Sequence, residues 1–150
     1  HQVEGRTDPA GRFGPERAQS GTWSAWAQDP NNGWAGPVPG EFRVEPGREA
    51  TVVLDVQVIA GAITCVDSAG QPPAGETVTV LLADDSDPEY PMDIPVTTRK
   101  TDANGRLALQ LLAGEYSLQR GPYDPMQESA PATVPLTWTA SGPMREQLQL

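Results

Sequence analysis

Residues 100–107 read KTDANGRL, and this stretch decides the fold. The pair Asn104-Gly105 is the strongest turn signal in the chain, because this dipeptide tolerates the positive φ angles of a hairpin turn. Asp102 is expected to cap the turn through its side chain. Apolar and polar residues then alternate over residues 107–111, as they do in a half-buried strand. The stretch therefore predicts a tight turn that leads into a strand.

The same alternation of apolar and polar residues recurs along the rest of the chain. The apolar positions are Val52, Leu54, Val56 and Val58, then Val78, Val80 and Leu82, then Leu148 and Leu150. Further turn signals lie at residues 29–33 (DPNNG), 45–47 (EPG) and 67–70 (DSAG). No amphipathic helical stretch escapes interruption, since the chain holds 15 Gly and 16 Pro. Runs of period two separated by turns are typical of an all-β protein.

The turn stretch has a second copy near the N-terminus. Residues 6–13 (RTDPAGRF) match residues 100–107, about 94 residues further along the chain. In each copy a Gly and an aromatic residue follow, as GTWS at residues 21–24 and as GEYS at residues 114–117. The turn residues that correspond between the copies are Asp8 with Asp102 and Gly11 with Gly105. One structural motif is therefore expected twice.

The order of these motifs resembles that of the carboxypeptidase regulatory-like domain, which is related to collagen-adhesin B-type pilin repeats and to transthyretin. The second copy carries the whole order. It has a strand at residues 62–66, the turn D-x-x-G-x-P-x-x-G at 67–75, a strand at 77–82, the turn at 100–107, GEY at 114–116 and a last strand that ends at Leu150. The resemblance implies an immunoglobulin-like, prealbumin-type β-sandwich over residues 60–150.

The first copy, residues 1–59, matches only the later part of that order, so we expect one complete and one partial sandwich repeat. Its first strand and its proline-containing turn would precede His1. A sandwich without those strands exposes unpaired backbone groups and an apolar face. We expect strands from outside this segment to complete it, either from upstream residues of the same polypeptide or from a neighbouring subunit.

Composition excludes several classes of function. Ten Lys and Arg against 20 Asp and Glu give a formal net charge of −10, which repels phosphates, so nucleic acid is not an expected partner. No apolar run approaches the roughly 20 residues that a membrane span needs. His1 and Cys65 are the only residues of their kinds, which leaves no internal disulfide, no His-based zinc site and no Ser-His-Asp triad. Neither enzymatic activity nor a cofactor is expected.

An acidic loop is the one candidate metal site. Clustered carboxylates suit calcium, which takes roughly six to eight oxygen ligands. The loop contains Pro88 and lacks the EF-hand spacing, so a solvated charged loop is the alternative interpretation. The carboxylates are Asp84, Asp85, Asp87 and Glu89.

Two tryptophans are candidate ligand or interface residues. Trp23 takes the position of Tyr116 in the other copy and is expected in a core, whereas Trp26, at odd spacing, should face the other way. Trp34 lies in a loop with Gly and Pro. At the surface, Trp26 and Trp34 would stack on sugar rings or contact another protein. Ser and Thr residues offer acceptors for O-linked glycans, whereas no N-x-[ST] sequence occurs.

Together these features predict a non-enzymatic structural subunit or module at the cell surface or outside the cell. It would assemble head to tail with copies of itself, or with neighbouring repeats of a longer chain, by β-strand complementation. The product would be a filament or a pilus-like fibre. The alternative is a carbohydrate- or protein-binding accessory module of a larger secreted or cell-surface protein, with Trp26 and Trp34 as its contact surface.

Overall fold

The computed structural model of the chain describes residues 3–14, 16–29, 31–84, 92–127 and 131–150, with Asp84 described by its backbone alone. Within these residues the chain forms ten strands and no helix, which confirms the all-β prediction. The strands are β1 (Gly21–Asp29), β2 (Trp34–Val44), β3 (Val58–Val66), β4 (Thr77–Asp84), β5 (Met92–Lys100), β6 (Arg106–Leu112), β7 (Gly114–Arg120), β8 (Thr133–Thr139), β9 (Gly142–Pro143) and β10 (Gln147–Gln149).

The strands form three sheets. β1 pairs with β2 alone, a second sheet has the order β10-β3-β6, and a third has the order β5-β4-β7-β8-β9. In the two larger sheets β10 runs parallel to β3, with Leu148 opposite Cys65, and the other pairs are antiparallel. One apolar core contains side chains from both larger sheets, as in a β-sandwich.

The chain divides into two compact units. The small unit comprises His1–Ala25 and Pro37–Asp55. The large unit comprises Trp26–Gly36 and Val56–Leu150, and it contains the two larger sheets. The tip of the β1-β2 hairpin therefore belongs to the large unit.

The core of the large unit forms because apolar side chains alternate along its strands. Every second residue of β6, from Leu107 to Leu111, is buried, and Val78 and Val80 of β4 are fully buried. Trp138 of β8 is buried as well, and its Nε1 donates a hydrogen bond to the carbonyl O of Ile59 in β3 at 3.0 Å. Each large apolar side chain buried in this way contributes about 1.5–3 kcal/mol to stability.

Gly61 of β3 makes room for Trp138. A Cβ at Gly61 would lie 2.8 Å from Cζ2 of Trp138 and 2.8 Å from Cδ of Pro143, closer than carbon atoms approach each other. The missing side chain at Gly61 lets the indole ring of one sheet lie directly against the backbone of the other.

The strand predicted over residues 51–58 is not formed. Residues 51–57 carry no strand, and Val58 instead begins β3. The exposed apolar residues of this segment are Val52 at 40%, Val53 at 92% and Leu54 at 45%. Alternation produces a strand only where a neighbouring strand bonds to its backbone. None of the strands in the described part of the chain pairs with this segment.

The turn at Asp102 joins two sheets. It links β5, at the edge of the five-stranded sheet, to β6, at the edge of the three-stranded sheet. Gly105 has a φ angle of 71°, whereas Asn104 stays in the ordinary negative range. A single positive φ angle is therefore enough for this turn. The turn connects two sheets, whereas an Asn-Gly pair more often closes a hairpin within one sheet.

Candidate functional site

Three turns of the chain share one hydrogen-bonding pattern, built on an Asp and on a Gly three residues later. At Asp102, Oδ1 accepts hydrogen bonds from the backbone amides two and four residues later, at 2.8 and 2.9 Å. Asp8 and Asp67 accept the equivalent bonds at 2.8–2.9 Å. The glycines have positive φ angles: Gly11 76°, Gly70 75° and Gly105 71°. The aspartate and the glycine thus define the turn locally, without help from a neighbouring strand.

In the large unit, Thr101 ties the turn at Asp102 to residues 67–75, the proline turn. The Thr101 side chain is 4% exposed, and its Oγ1 accepts a hydrogen bond from the backbone N of Glu76 at 2.9 Å. The same hydroxyl donates to the carbonyl O of Pro73. Because this buried hydroxyl both donates and accepts a hydrogen bond, it fixes the position of one turn relative to the other.

Gly105 touches the proline turn directly. A Cβ at Gly105 would lie 2.7 Å from Cβ of Pro72 and 2.7 Å from the carbonyl O of Cys65. The backbone N of Cys65 also donates to the carbonyl O of Gly105 at 2.8 Å. The end of β3 and the proline turn therefore pack against the turn at Asp102, with no space for a side chain between them.

The aromatic residue that follows each turn makes the same hydrogen bond in both units. The Tyr116 hydroxyl donates to the carbonyl O of Leu112, four residues earlier, at 2.9 Å. Trp23 Nε1 donates to the carbonyl O of Gln19, also four residues earlier, at 2.9 Å. A buried tyrosine that bonds the backbone a few residues upstream is a feature of sandwich corners. Burial raises the pKa of the Tyr116 hydroxyl to about 12, so it remains a donor at neutral pH.

The turn of the small unit has open surroundings. Thr7, which corresponds to Thr101, is exposed. A Cβ at Gly11 would meet no described atom within 4 Å. The Phe13 side chain is 46% exposed and packs on Gly5, where no side chain has room. The same turn is thus solvated in one unit and packed in the other.

The structure places Trp26 and Trp34 in the hairpin tip. Trp26 is 44% exposed and lies on the face of β1 opposite to the half-buried Trp23. The prediction of a loop at Trp34 is wrong, because Trp34 is the first residue of strand β2, where it is half-buried. Arg99 of β5 holds the tip, since its Nη2 donates to the carbonyl O of Asn32 at 3.1 Å. Trp26 is therefore the more exposed tryptophan of the pair.

An aspartate cap fixes the same tip. Asp29 Oδ2 accepts a hydrogen bond from the side chain of Asn32 at 2.6 Å, and this bond holds the pKa of Asp29 below its usual value. Asp29 Oδ1 accepts from the backbone N of Asn31 at 2.9 Å and of Asn32 at 3.2 Å.

The predicted calcium loop falls outside the described residues. Asp85, Asp87 and Glu89 are not described, and of Asp84 only the backbone is, as the last residue of β4. In the parts of the chain that are described, no three His, Cys, Asp or Glu side chains come together as metal ligands. The calcium site stays a prediction.

Cys65 lies in the core of the large unit and is fully buried. Burial raises the pKa of its thiol to about 11, so the thiol is protonated at neutral pH. A protonated, buried thiol is a poor nucleophile. The side chain is part of the apolar core that both larger sheets form.

No protein-family model matches the chain, and no curated protein has a significantly similar sequence. The described residues contain no helix with the length and apolar character needed to cross a membrane.

Proposed function

We propose that the chain is a non-enzymatic extracellular structural subunit or module that assembles head to tail into a filament or pilus-like fibre. In this proposal the large unit is a complete immunoglobulin-like repeat of the carboxypeptidase regulatory-like type, and the small unit is a partial repeat. A strand from a neighbouring copy, or from an adjoining repeat of a longer chain, completes the small unit. Contacts of this head-to-tail kind propagate without limit unless they close into a ring.

The contrast between Gly105 and Gly11 carries the proposal. Both glycines stand in the same hydrogen-bonded turn, yet Gly105 is packed against β3 and the proline turn while Gly11 meets no described atom. The apolar segment at residues 51–54, which lies at the end of the first copy, is exposed as well. An exposed apolar segment with strand-like alternation favours association with an added strand.

Electron microscopy and sedimentation velocity of the purified full chain test this proposal. Polymers whose length grows with protein concentration are the expected result. Leu54→Lys should prevent them, because it places a charge in the exposed segment that an added strand would cover. Met126→Lys is the matched control, since Met126 is 87% exposed in a loop of the large unit. The proposal is contradicted if the chain stays a monomer at every concentration, both alone and when mixed with a candidate neighbouring repeat.

The 44% exposure of Trp26 favours a second candidate function, an accessory module that binds carbohydrate or protein. An exposed indole ring stacks on apolar faces of sugars and anchors protein contacts. Glycan-array binding that is lost in Trp26→Ala but kept in Leu54→Lys would support this candidate over assembly. Equal binding by the wild type and Trp26→Ala would remove it.

A further inference from the structure

The two copies of the turn allow a residue-by-residue comparison of a filled site with an open one. Thr101 and Gly105 of the large unit correspond to Thr7 and Gly11 of the small unit. Leu107 is fully buried in the large unit, and its counterpart Phe13 is 46% exposed. The corresponding residues have the same order and spacing. The contacts made by the turn at Asp102 therefore indicate which contacts the turn at Asp8 could make with a partner.

Three contacts fill the site of the large unit. The Thr101 hydroxyl donates to the carbonyl O of Pro73, and the Pro72 ring lies against Gly105. The end of β3 bonds to the Gly105 carbonyl through the backbone N of Cys65. All three contacts come from one continuous segment, a strand that runs into the proline turn.

The positive φ angle of Gly11 alone would not identify a site. Gly70 has a φ angle of 75°, and a Cβ there would also meet nothing within 4 Å. The residues that flank the turn make the difference. A Thr precedes the aspartate and an apolar residue follows five positions after it at Asp8 and at Asp102, whereas Val66 and Pro72 take these places around Asp67. The turn at Asp8 therefore carries the docking residues of the filled site.

We propose that the turn at Asp8 binds a specific kind of partner segment: a strand of alternating apolar residues that ends in a D-x-x-G-x-P-x-x-G turn. The first proline of that turn packs against Gly11, and the Thr7 hydroxyl donates to a carbonyl O of the turn. Phe13 is buried under the incoming strand. This inference rests on the proposed function and specifies the chemistry of the strand that completes the small unit.

A synthetic peptide of residues 58–76 of this chain, with Cys65→Ser to prevent oxidation, is the probe. Titration into the full chain, followed by calorimetry, should show saturable binding at one site. Gly11→Ala should weaken it by roughly tenfold or more, because a methyl group would meet the proline ring. Thr7→Val should weaken it roughly fivefold through loss of one hydrogen bond.

Gly70→Ala is the matched control for backbone strain, since it places the same side chain at nearly the same φ angle in a turn that lacks the Thr before the aspartate and the apolar residue five positions after it. It should leave peptide binding unchanged. A peptide with Pro72→Gly should bind as weakly as the wild-type peptide binds Gly11→Ala. Equal binding by the wild type, Gly11→Ala and Thr7→Val would overturn the inference, and so would an absence of binding.

Assembly distinguishes this inference from the proposed function. Filaments that form equally well from the wild type and from Gly11→Ala would overturn the proline-turn partner and leave strand complementation standing. Peptide binding that depends on Gly11, by a chain that never polymerises alone or with a neighbouring repeat, would support the docking site and contradict the filament.

Discussion

The turns at Asp8 and Asp102 have the same hydrogen bonds, both within the backbone and to the aspartate Oδ1, and nearly the same glycine φ angle, 76° and 71°. Their surroundings are nevertheless opposite. Leu107, five residues after Asp102, is buried, whereas Phe13, five residues after Asp8, is 46% exposed. The difference shows that an aspartate and a glycine suffice to shape the turn, while burial depends on a separate segment that packs on it. Local sequence determines the turn, and long-range packing determines its stability.

Truncation of the apolar residue after each turn should produce the largest difference between the two units. Leu107→Ala removes a fully buried side chain from the core and should lower the free energy of unfolding by roughly 2–5 kcal/mol. Phe13→Ala removes a ring that is 46% exposed and should cost less than about 1 kcal/mol. Urea denaturation followed by circular dichroism measures both changes. Similar losses in the two variants would mean that Phe13 is buried in solution.

Alanine at the three turn glycines should separate backbone strain from packing. At Gly11 and Gly70 the change should cost about 1–2 kcal/mol, the usual penalty of a left-handed conformation for a residue with a Cβ. Gly105→Ala should cost about 1–3 kcal/mol more, because its methyl group would meet Pro72 and the Cys65 carbonyl. Thermal or urea unfolding of the three variants gives the comparison. Equal costs at all three positions would contradict the close packing of Gly105.

Residue patterns predicted much of this fold because they act locally. Alternation marked β4 and β6, and Asp102 with Gly105 marked the turn between the two sheets. These features depend on residues close in sequence, so one stretch carries the whole signal. The rest depends on partners distant in sequence. The Thr101 hydroxyl bonds to Pro73 and Glu76, which are about 25 residues away in sequence. The only local signal for this contact is the Thr that precedes the aspartate in both copies.

The strand predicted over residues 51–58 does not form over residues 51–57 for the same reason. Their alternation is as regular as that of β6, but β6 pairs with β3, whereas no described strand pairs with residues 51–57. Alternation with a period of two residues shows that a segment is able to form a strand. It does not show that another strand is available to pair with that segment. The turn signal at residues 29–33 predicts the hairpin tip itself. The bond from Arg99 to Asn32 was not predictable, because it joins residues far apart in the chain.

Removal of the threonine hydroxyl should extend the contrast to a polar contact. Thr101→Val leaves the backbone N of Glu76 and the carbonyl O of Pro73 without their bonds to this side chain, and should cost about 1–3 kcal/mol. Thr7→Val changes an exposed hydroxyl and should alter stability by less than about 0.5 kcal/mol. Urea denaturation of both variants provides the test. A loss at Thr7 as large as that at Thr101 would show that the small unit already holds a partner.

The aromatic residues after the turns should give the smallest effect at neutral pH and a distinct one at alkaline pH. Tyr116→Phe and Trp23→Phe each remove one hydrogen bond to the backbone, worth about 1 kcal/mol. Only Tyr116 ionises. Burial raises its pKa to about 12, above the value of about 10 for an unfolded tyrosine.

The sign of the alkaline effect follows from that difference in pKa. Below about pH 10 the phenol is protonated in both states, and its contribution to folding is fully present. As the pH rises through the folded value of about 12, the unfolded chain has already released the proton and the stabilisation is lost. Cys65, whose pKa burial raises to about 11, adds a loss of the same sign.

Urea denaturation at about pH 8, 10 and 11, which spans the ionisation of the unfolded tyrosine, separates these contributions. Stability should fall with pH in the wild type and in Trp23→Phe, and less steeply in Tyr116→Phe. The slope that remains in Tyr116→Phe should decrease again on Cys65→Val, a substitution that keeps an apolar side chain in the core. An identical slope in the wild type and Tyr116→Phe would mean that the Tyr116 hydroxyl reaches solvent, and the packed corner of the large unit would then resemble the open one at Trp23.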